Sequence, residues 1–174
     1  MRILVFLLIC CAWSKKPRKT GGLPTNPAET TKNYCTVATQ LTVQVAYEPG
    51  AEPYDDNLVA SGLSIWWLLE ENLNALFLGR SNAPSITVPK KLNQFNAIPA
   101  QNKTSWTGQE IMDLAARERT GISSSGHNYF WVVFLKGNFH NGTSLQPQTI
   151  GVNFQGTSVI AIFKDVVEGT AIGT

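Results

Sequence analysis

The chain has 174 residues, of which 43% are hydrophobic and 15% charged, and its formal net charge is +2. This length fits one domain with its own core, and the composition excludes a disordered chain or a coiled coil. The excess of positive charge is confined to the N-terminal end, because from Asn33 onward eight Lys and Arg stand against eleven Asp and Glu. A mildly acidic domain argues against nucleic acid as a partner, since phosphate binding needs a basic surface.

The N-terminal segment, residues 1–11, is typical of an export signal. Arg2 precedes a short apolar run that ends at Cys10 and Cys11, and this run is too short to cross a bilayer. An apolar run ending at cysteine resembles a bacterial lipoprotein signal, which predicts that Cys11 is lipidated and anchors the chain to a membrane of the cell envelope. The alternative is an ordinary secretory signal, cut near Ala12 or Ser14.

Beyond the signal, the composition divides the chain into a tether and a domain. Residues 12–33 are rich in Lys, Pro, Gly and Thr without an apolar period, which predicts a flexible basic tether. Residues 34–174 form the predicted domain. Cys35 is its only cysteine, so it cannot form an internal disulfide, and we expect it to be a small buried side chain.

The first half of the domain predicts two strands and two helices. Residues 41–47 alternate between apolar and polar and predict a strand, whereas residues 63–78 have helical spacing and end at Gly79, a good C-cap. A short strand is expected at 85–89. Thr107 and Glu110 have the spacing of a capping box, which predicts a helix up to about Arg119.

The second half of the domain predicts three strands and no helix. A strand is expected at 129–137, and its residues 129–135 are apolar on both faces, as in a central strand that is covered on both sides. Residues 138–148 predict a polar turn centred on Asn141 and Gly142. Strands are expected at 149–155, as an antiparallel edge, and at 158–164, with a polar end and no helix after them. The fold class is therefore α/β or α+β, with a mixed twisted sheet of about five strands and two packed helices.

Few side chains in the sequence have the spacing of a catalytic or metal site. His127 and His140 flank the strongest strand and are expected at opposite ends of it, too far apart to share a metal ion. Glu70 and Glu71 are neighbours on a helix and point in different directions, and the adjacent pair Asp55-Asp56 is too small a set to make a good calcium site.

Three tryptophans and two tripeptides that match a glycosylation motif are the other features that could indicate a function. Trp66, Trp67 and Trp131 fall within apolar periodic segments, so we expect core positions and not a sugar-binding platform. Asn102-Lys103-Thr104 and Asn141-Gly142-Thr143 match the acceptor sequence for N-linked glycosylation. In a bacterial lipoprotein such matches would be coincidental.

Four segments of the sequence together resemble one protein family. They are residues 47–54 after the first strand, residues 69–80 at the end of the first helix, Ile150-Gly151-Val152, and residues 160–167 in the last strand. These resemble the N-terminal part of secreted bacterial zincin-type metallopeptidases with a metzincin-like layout, which are often lipoproteins. The similarity covers roughly residues 41–167.

The resemblance implies a fold and a function for the domain. In the family the upper subdomain runs strand, helix, strand, strand, antiparallel edge strand and strand, and is followed by the helix that carries H-E-x-x-H. Its two histidines hold Zn²⁺ and its glutamate is the general base. By resemblance, an edge strand formed by Ile150, Gly151, Val152, Asn153 and Phe154 would align an extended peptide or protein substrate.

The catalytic part of the family pattern is missing from this sequence. No H-E-x-x-H occurs in it, so no zinc ligand or catalytic residue can be carried over, and the family's zinc would be expected only in a longer relative. The favoured hypothesis is a truncated metallopeptidase that is inactive as it stands. It predicts that the apolar strand at 159–163 is left exposed and makes the domain prone to associate. The alternatives are a complete non-catalytic exported binding domain and an enzyme of unrelated chemistry.

Overall fold

The computed structural model describes residues 38–54, 65–124 and 126–172, with side chains described up to Gly169. Nine strands and three α-helices follow one another in these residues. The strands are β1 (Gln40–Tyr47), β2 (Ser85–Thr87), β3 (Asn96–Ala97), β4 (Ser105–Thr107), β5 (His127–Leu135), β6 (Asn138–His140), β7 (Leu145–Gln146), β8 (Gly151–Asn153) and β9 (Val159–Phe163). The helices are α1 (Ile65–Leu76), α2 (Gly108–Glu118) and α3 (Lys164–Ile172).

The main element is an open, mixed sheet of six strands. Its order is β2-β1-β5-β9-β8, and β3 also pairs with β1. All neighbours are parallel except β8, which is antiparallel to β9. The predicted fold class, α/β or α+β with a mixed sheet, is therefore confirmed, as is the antiparallel edge strand, although β8 is shorter than the predicted 149–155.

The sheet is covered on both faces, as the apolar pattern of 129–137 predicts. β5 lies between β1 and β9, and its side chains alternate between two core clusters. Phe130 and Val132 pack on the face covered by α1, whereas Trp131 and Val133 pack on the face covered by α2. Trp131 is 1% exposed, because the apolar side of α2 packs on its face of the sheet.

Helix α1 lies where the helical spacing predicts it, but only part of its apolar surface is covered. Trp66, Leu69 and Leu73 are buried against the sheet, and Gly79 has the positive φ of 84° that suits a C-cap. The prediction that Trp67 is a core residue is wrong, because it is 42% exposed. Successive helical residues are separated by about 100°, so Trp67 turns away from the single face that the sheet covers.

Helix α2 begins at the predicted capping box. The Thr107 side chain accepts a hydrogen bond from the Glu110 backbone N–H at 3.3 Å, and Glu110 Oε2 accepts one from the Thr107 backbone N–H at 2.8 Å. Lys103 Nζ donates to Glu110 Oε1 at 2.6 Å. The Lys103 hydrogen bond and the Thr107 backbone together lower the pKa of Glu110 to about 2. The carboxylate therefore keeps its capping contacts over the ordinary pH range.

A second, three-stranded sheet of order β4-β6-β7 was not predicted. The segment 138–148, predicted only as a turn, contains the antiparallel pair β6 and β7, which joins through the expected turn at Asn141 and Gly142. β4 pairs with β6 in parallel. These strands have two or three residues each, which is too short for an alternating pattern to be recognised.

The expectation that no helix follows the last strand is wrong. Helix α3 starts directly after β9, at Lys164, and Val166 packs into the core cluster on the α2 side. An ion pair from Lys164 Nζ to Glu168 Oε1, at 3.5 Å, joins successive turns. The helix could not be predicted from the sequence because Val166, Val167 and Gly169 are poor helix formers. It forms because tertiary packing outweighs this low propensity.

The expectation of an exposed apolar strand at Val159–Phe163 is also wrong. Val159, Ile160, Ala161 and Phe163 are all buried, and only Ile162 is half-buried. Helix α2, helix α3 and the aromatic side chain of Phe139 cover the α2 side of this strand. The association of the domain through β9, which the truncation hypothesis predicted, has no exposed surface to support it.

Replacement of Gly169 by alanine should stabilise the protein, because Gly169 lies inside α3, is exposed, and has open space where a Cβ would be. We expect the free energy of unfolding to rise by about 0.5–1 kcal/mol, as for glycine in a helix interior. Urea unfolding of the full chain measures this change. Gly79→Ala is the matched control, since its φ of 84° makes the same substitution unfavourable. A loss of stability in Gly169→Ala would contradict the helical conformation of this segment.

Candidate functional site

The predicted substrate-aligning strand lies at an edge of the main sheet. β8 pairs with β9 through Gly151↔Ile162, Val152↔Ala161 and Asn153↔Ile160. Among the strands described, none pairs with the other side of β8. This is the arrangement in which an extended segment from another chain can add to a sheet by main-chain hydrogen bonds.

The ladder between β8 and β9 fixes which backbone groups face outward. Phe163 N–H donates to the Ile150 carbonyl at 2.8 Å, and Phe154 N–H donates to the Val159 carbonyl at 3.3 Å. The direction of the backbone N–H and C=O groups alternates along an antiparallel strand. Those of Ile150, Val152 and Phe154 therefore point toward β9. The backbone of Gly151 is directed toward the outer edge.

Gly151 lets the two strands approach each other closely. A Cβ at this position would lie 2.9 Å from the carbonyl oxygen of Ala161 in β9, closer than real Cβ atoms come. Any larger residue must therefore move β8 away from β9. The sequence contained the signal for this, an isolated glycine inside a strand pattern, but periodicity alone does not tell a close approach from a bulge.

Three apolar side chains in and beside β8, which we call the apolar shelf, lie along this edge. Ile150, Val152 and Phe154 are half-buried and pack against the core cluster on the α2 side, beside the partly buried Met112. The Phe154 ring lies over the start of α2, with Cε1 3.0 Å from the position of a Cβ on Gly108. An extended peptide along β8 would therefore meet backbone groups in the plane of the sheet and apolar atoms on its α2 face.

The two histidines are separated, as predicted. His127 begins β5, where its Nε2 is 2.9 Å from Thr42 Oγ1 and its ring stacks on Tyr129 at 4.1 Å between centroids. His140 ends β6 in the other sheet, and its Nδ1 accepts a hydrogen bond from Gly142 N–H at 3.1 Å. Each imidazole thus has local partners of its own, and the structure does not bring the two together.

The zinc site of the resembled family does not fit the residues described. In 38–54, 65–124 and 126–172 no group of three or more His, Cys, Asp or Glu could hold a metal ion. Helix α3 occupies the place after β9 where the family carries H-E-x-x-H, but its acidic residues are engaged elsewhere. Asp165 Oδ2 accepts from Gly137 N–H at 2.6 Å, and Glu168 pairs with Lys164.

A buried polar group at the carboxyl ends of the parallel strands was missed from the sequence. Glu48 directly follows β1 and is 2% exposed. Its Oε1 accepts a hydrogen bond from Lys136 N–H at 2.6 Å, and its Oε2 accepts one from Gln101 N–H at 3.1 Å. This carboxylate joins the end of β1 to the end of β5 and to the segment before β4.

Lys164, at the end of β9, is the second buried charge of this region and is 4% exposed. Its Nζ donates to the Glu52 carbonyl at 2.9 Å and lies 3.3 Å from the centroid of the Tyr54 ring. The carboxyl ends of parallel strands lie at the same end of the sheet. The polar residues directly after β1, β5 and β9 could therefore have indicated from the sequence that these buried charges lie in one region. Both charges are internally bonded and organise loops.

Several predicted features fall outside the described residues. These are the signal with the lipidation site Cys11, the basic tether at 12–33, the lone Cys35 and the Asp55-Asp56 pair. In the part of the chain that is described, no helix is long and apolar enough to cross a membrane.

Comparison of the chain with protein-family models, with curated proteins and with solved structures found no match. The class of the protein is therefore given by its architecture, a mixed α/β sheet with an antiparallel edge strand.

Proposed function

We propose that this domain binds an extended peptide along β8 and is a non-hydrolytic, substrate-aligning scaffold of the zincin metallopeptidase type. The observation that carries the proposal is the position of β8, an antiparallel strand at the sheet edge, followed in the chain by β9 and then by a helix. The resemblance led us to expect this order of elements around a substrate-aligning edge. The apolar shelf of Ile150, Val152 and Phe154 gives the edge a second kind of contact.

Two of the hypotheses from the sequence share this binding function and differ in origin. A truncated peptidase would have its catalytic helix beyond residue 174, whereas a non-catalytic binding domain would not need one. The sequence of α3 favours the second, because the element that directly follows β9 already is a helix and contains no histidine. Export through the N-terminal segment is part of the proposal in either case.

The test is a backbone scan of a bound peptide. Decapeptides that bind the full chain are selected from a random phage-displayed library, and each residue of the best peptide is then N-methylated in turn. In strand addition only every second peptide N–H faces the sheet, so we expect alternate N-methyl groups to weaken binding about tenfold. The intervening positions should have little effect. Fluorescence polarisation measures the affinity.

Three results would contradict the proposal. They are a library that yields no binding peptide, an N-methyl scan without a two-residue period, and cleavage of the bound peptide, seen by mass spectrometry with or without added zinc. Gly151→Ala displaces β8 and should weaken binding about tenfold. Gly142→Ala, in the hairpin of the other sheet, is the matched control and should leave binding unchanged.

A further inference from the structure

The loop that joins β6 to β7, residues 141–144, contains an asparagine followed directly by a glycine. The strand pair His140↔Leu145 flanks the loop, and the Asn141 backbone N–H closes it by donating to the Ser144 carbonyl at 3.1 Å. All residues of the loop are exposed, so water reaches them. In such a dipeptide the side-chain carboxamide carbon of the asparagine can form a five-membered ring with the backbone nitrogen of the next residue.

The backbone nitrogen of Gly142 has a base within hydrogen-bond distance. Its N–H donates to Nδ1 of His140 at 3.1 Å, so this ring nitrogen is the unprotonated one and can take the proton. Gly142 has no side chain to obstruct the nitrogen, and no atom lies within 4 Å of the place where a Cβ would be. The nitrogen is therefore an accessible nucleophile with a base beside it.

The side-chain carbonyl of Asn141 is polarised by two hydrogen-bond donors. Its Oδ1 accepts from Thr143 N–H and from Ser144 N–H, both at 2.9 Å. Two backbone N–H groups on one carbonyl oxygen stabilise the negative charge that develops there when the carbon is attacked, as in an oxyanion hole. They also restrict rotation of the side chain and keep the carboxamide over the loop.

We propose that Asn141 is a self-modification site, where the side-chain amide is converted to a carboxylate through a succinimide with His140 as the base. The Gly142 nitrogen bonds to Cγ of Asn141 as its proton passes to the imidazole, and the carbonyl electron pair moves onto Oδ1. The bond from Cγ to Nδ2 then breaks with its electron pair. This nitrogen takes the proton from the imidazolium and leaves as ammonia.

Water completes the reaction by opening the succinimide at either of its two carbonyl carbons. One opening gives aspartate at position 141, whose carboxylate can keep the bonds from Thr143 and Ser144 and accept them more strongly. The other gives isoaspartate, which adds one atom to the main chain of the hairpin. Either product adds a negative charge to this loop, and neither depends on peptide binding at β8, which belongs to the other sheet.

The experiment incubates the freshly purified full chain in neutral buffer and follows position 141 over several days. Proteolytic peptides are separated by chromatography, and asparagine, aspartate and isoaspartate are assigned by mass spectrometry. We expect Asn141 to be lost with formation of both products, because direct hydrolysis of the side-chain amide cannot give isoaspartate. Asn102, which is also exposed but is followed by Lys103, is the internal control and should stay intact.

The variant His140→Phe keeps a planar ring and removes the base, so loss of Asn141 should slow by roughly tenfold or more. His127→Phe, which replaces the histidine of the other sheet, is the matched control and should leave the rate unchanged. Circular dichroism verifies that both variants are folded. In concentrated urea, where the loop geometry is lost, parent and His140→Phe should react at equal rates.

Three results would overturn the proposal. They are a parent protein in which Asn141 persists as long as Asn102, a product that is aspartate without isoaspartate, and a folded His140→Phe that reacts as fast as the parent. A difference between parent and His140→Phe that remains unchanged in urea would also overturn it, because the effect would then come from the local sequence and not from the folded hairpin.

Discussion

Gly137→Ala is expected to lower the free energy of unfolding by roughly 4 kcal/mol, from backbone strain and overpacking together. Gly137 follows β5 with a φ of +79°, in the left-handed region that side chains disfavour. A Cβ at this position would lie 2.3 Å from the carbonyl oxygen of Thr104, a backbone atom that cannot turn aside. The Gly137 N–H also donates to Asp165 Oδ2 at 2.6 Å, so displacement of this residue would disturb the start of α3.

The matched variant is Gly142→Ala, and the measurement is urea unfolding of both full-length proteins. Gly142 has a φ of +94°, but no atom lies within 4 Å of where its Cβ would be. It therefore isolates the cost of backbone strain, about 1 kcal/mol. Equal losses in the two variants would mean that the close contact between Gly137 and Thr104 does not exist.

Glu48→Ala is expected to lower the free energy of unfolding by about 3 kcal/mol, because two backbone N–H groups lose a charged acceptor. These are the backbone N–H groups of Lys136 and Gln101, at 2.6 Å and 3.1 Å from the carboxylate. The backbone of Glu48 also belongs to the sheet, where its N–H donates to the Phe134 carbonyl at 3.2 Å. That bond survives the substitution, so the loss reports the side chain of Glu48 and not its backbone.

Glu48→Gln is the control for shape and is expected to lose less than Glu48→Ala. The amide oxygen can still accept from Lys136 N–H, whereas the amide nitrogen would face Gln101 N–H and cannot accept from it. Urea midpoints should therefore rank the parent first, Gln second and Ala last. A loss of under about 1 kcal/mol in Glu48→Ala would show that water replaces the carboxylate at little cost.

The sequence allowed the main sheet and its two large helices to be predicted because each has a long, regular pattern. β1 alternates over eight residues, the apolar run that became β5 marks a central strand, and the Thr107–Glu110 spacing marks the start of α2. The short strands of the second sheet were not predictable, because two or three residues contain no period. Helix α3 was missed because its packing, through Val166, outweighs the weak propensity of its residues.

The candidate site was predictable in position and not in its contacts. The alternation of Ile150, Val152 and Phe154 correctly identified an edge strand. The buried bonds of Glu48 and Lys164 depend on which strand ends meet in space, and one sequence does not specify this. Burial was also mispredicted at Trp67, because an apolar residue in a periodic segment can still turn away from the covered face.

The order of strands in the main sheet also determines how the chain must fold. β1 pairs with β5 from Gln40↔His127 to Tyr47↔Phe134, across a separation of 87 residues. During synthesis β1 can first assemble only with the nearby β2 and β3. Its other edge waits until β5 has left the ribosome, and β9 and β8 come later still. Such non-local, parallel pairing is slow, and it exposes an unpaired apolar strand while the rest is made. The folding rate of this protein is thus limited by its topology, and the interval before β5 arrives is when the nascent chain most needs a chaperone.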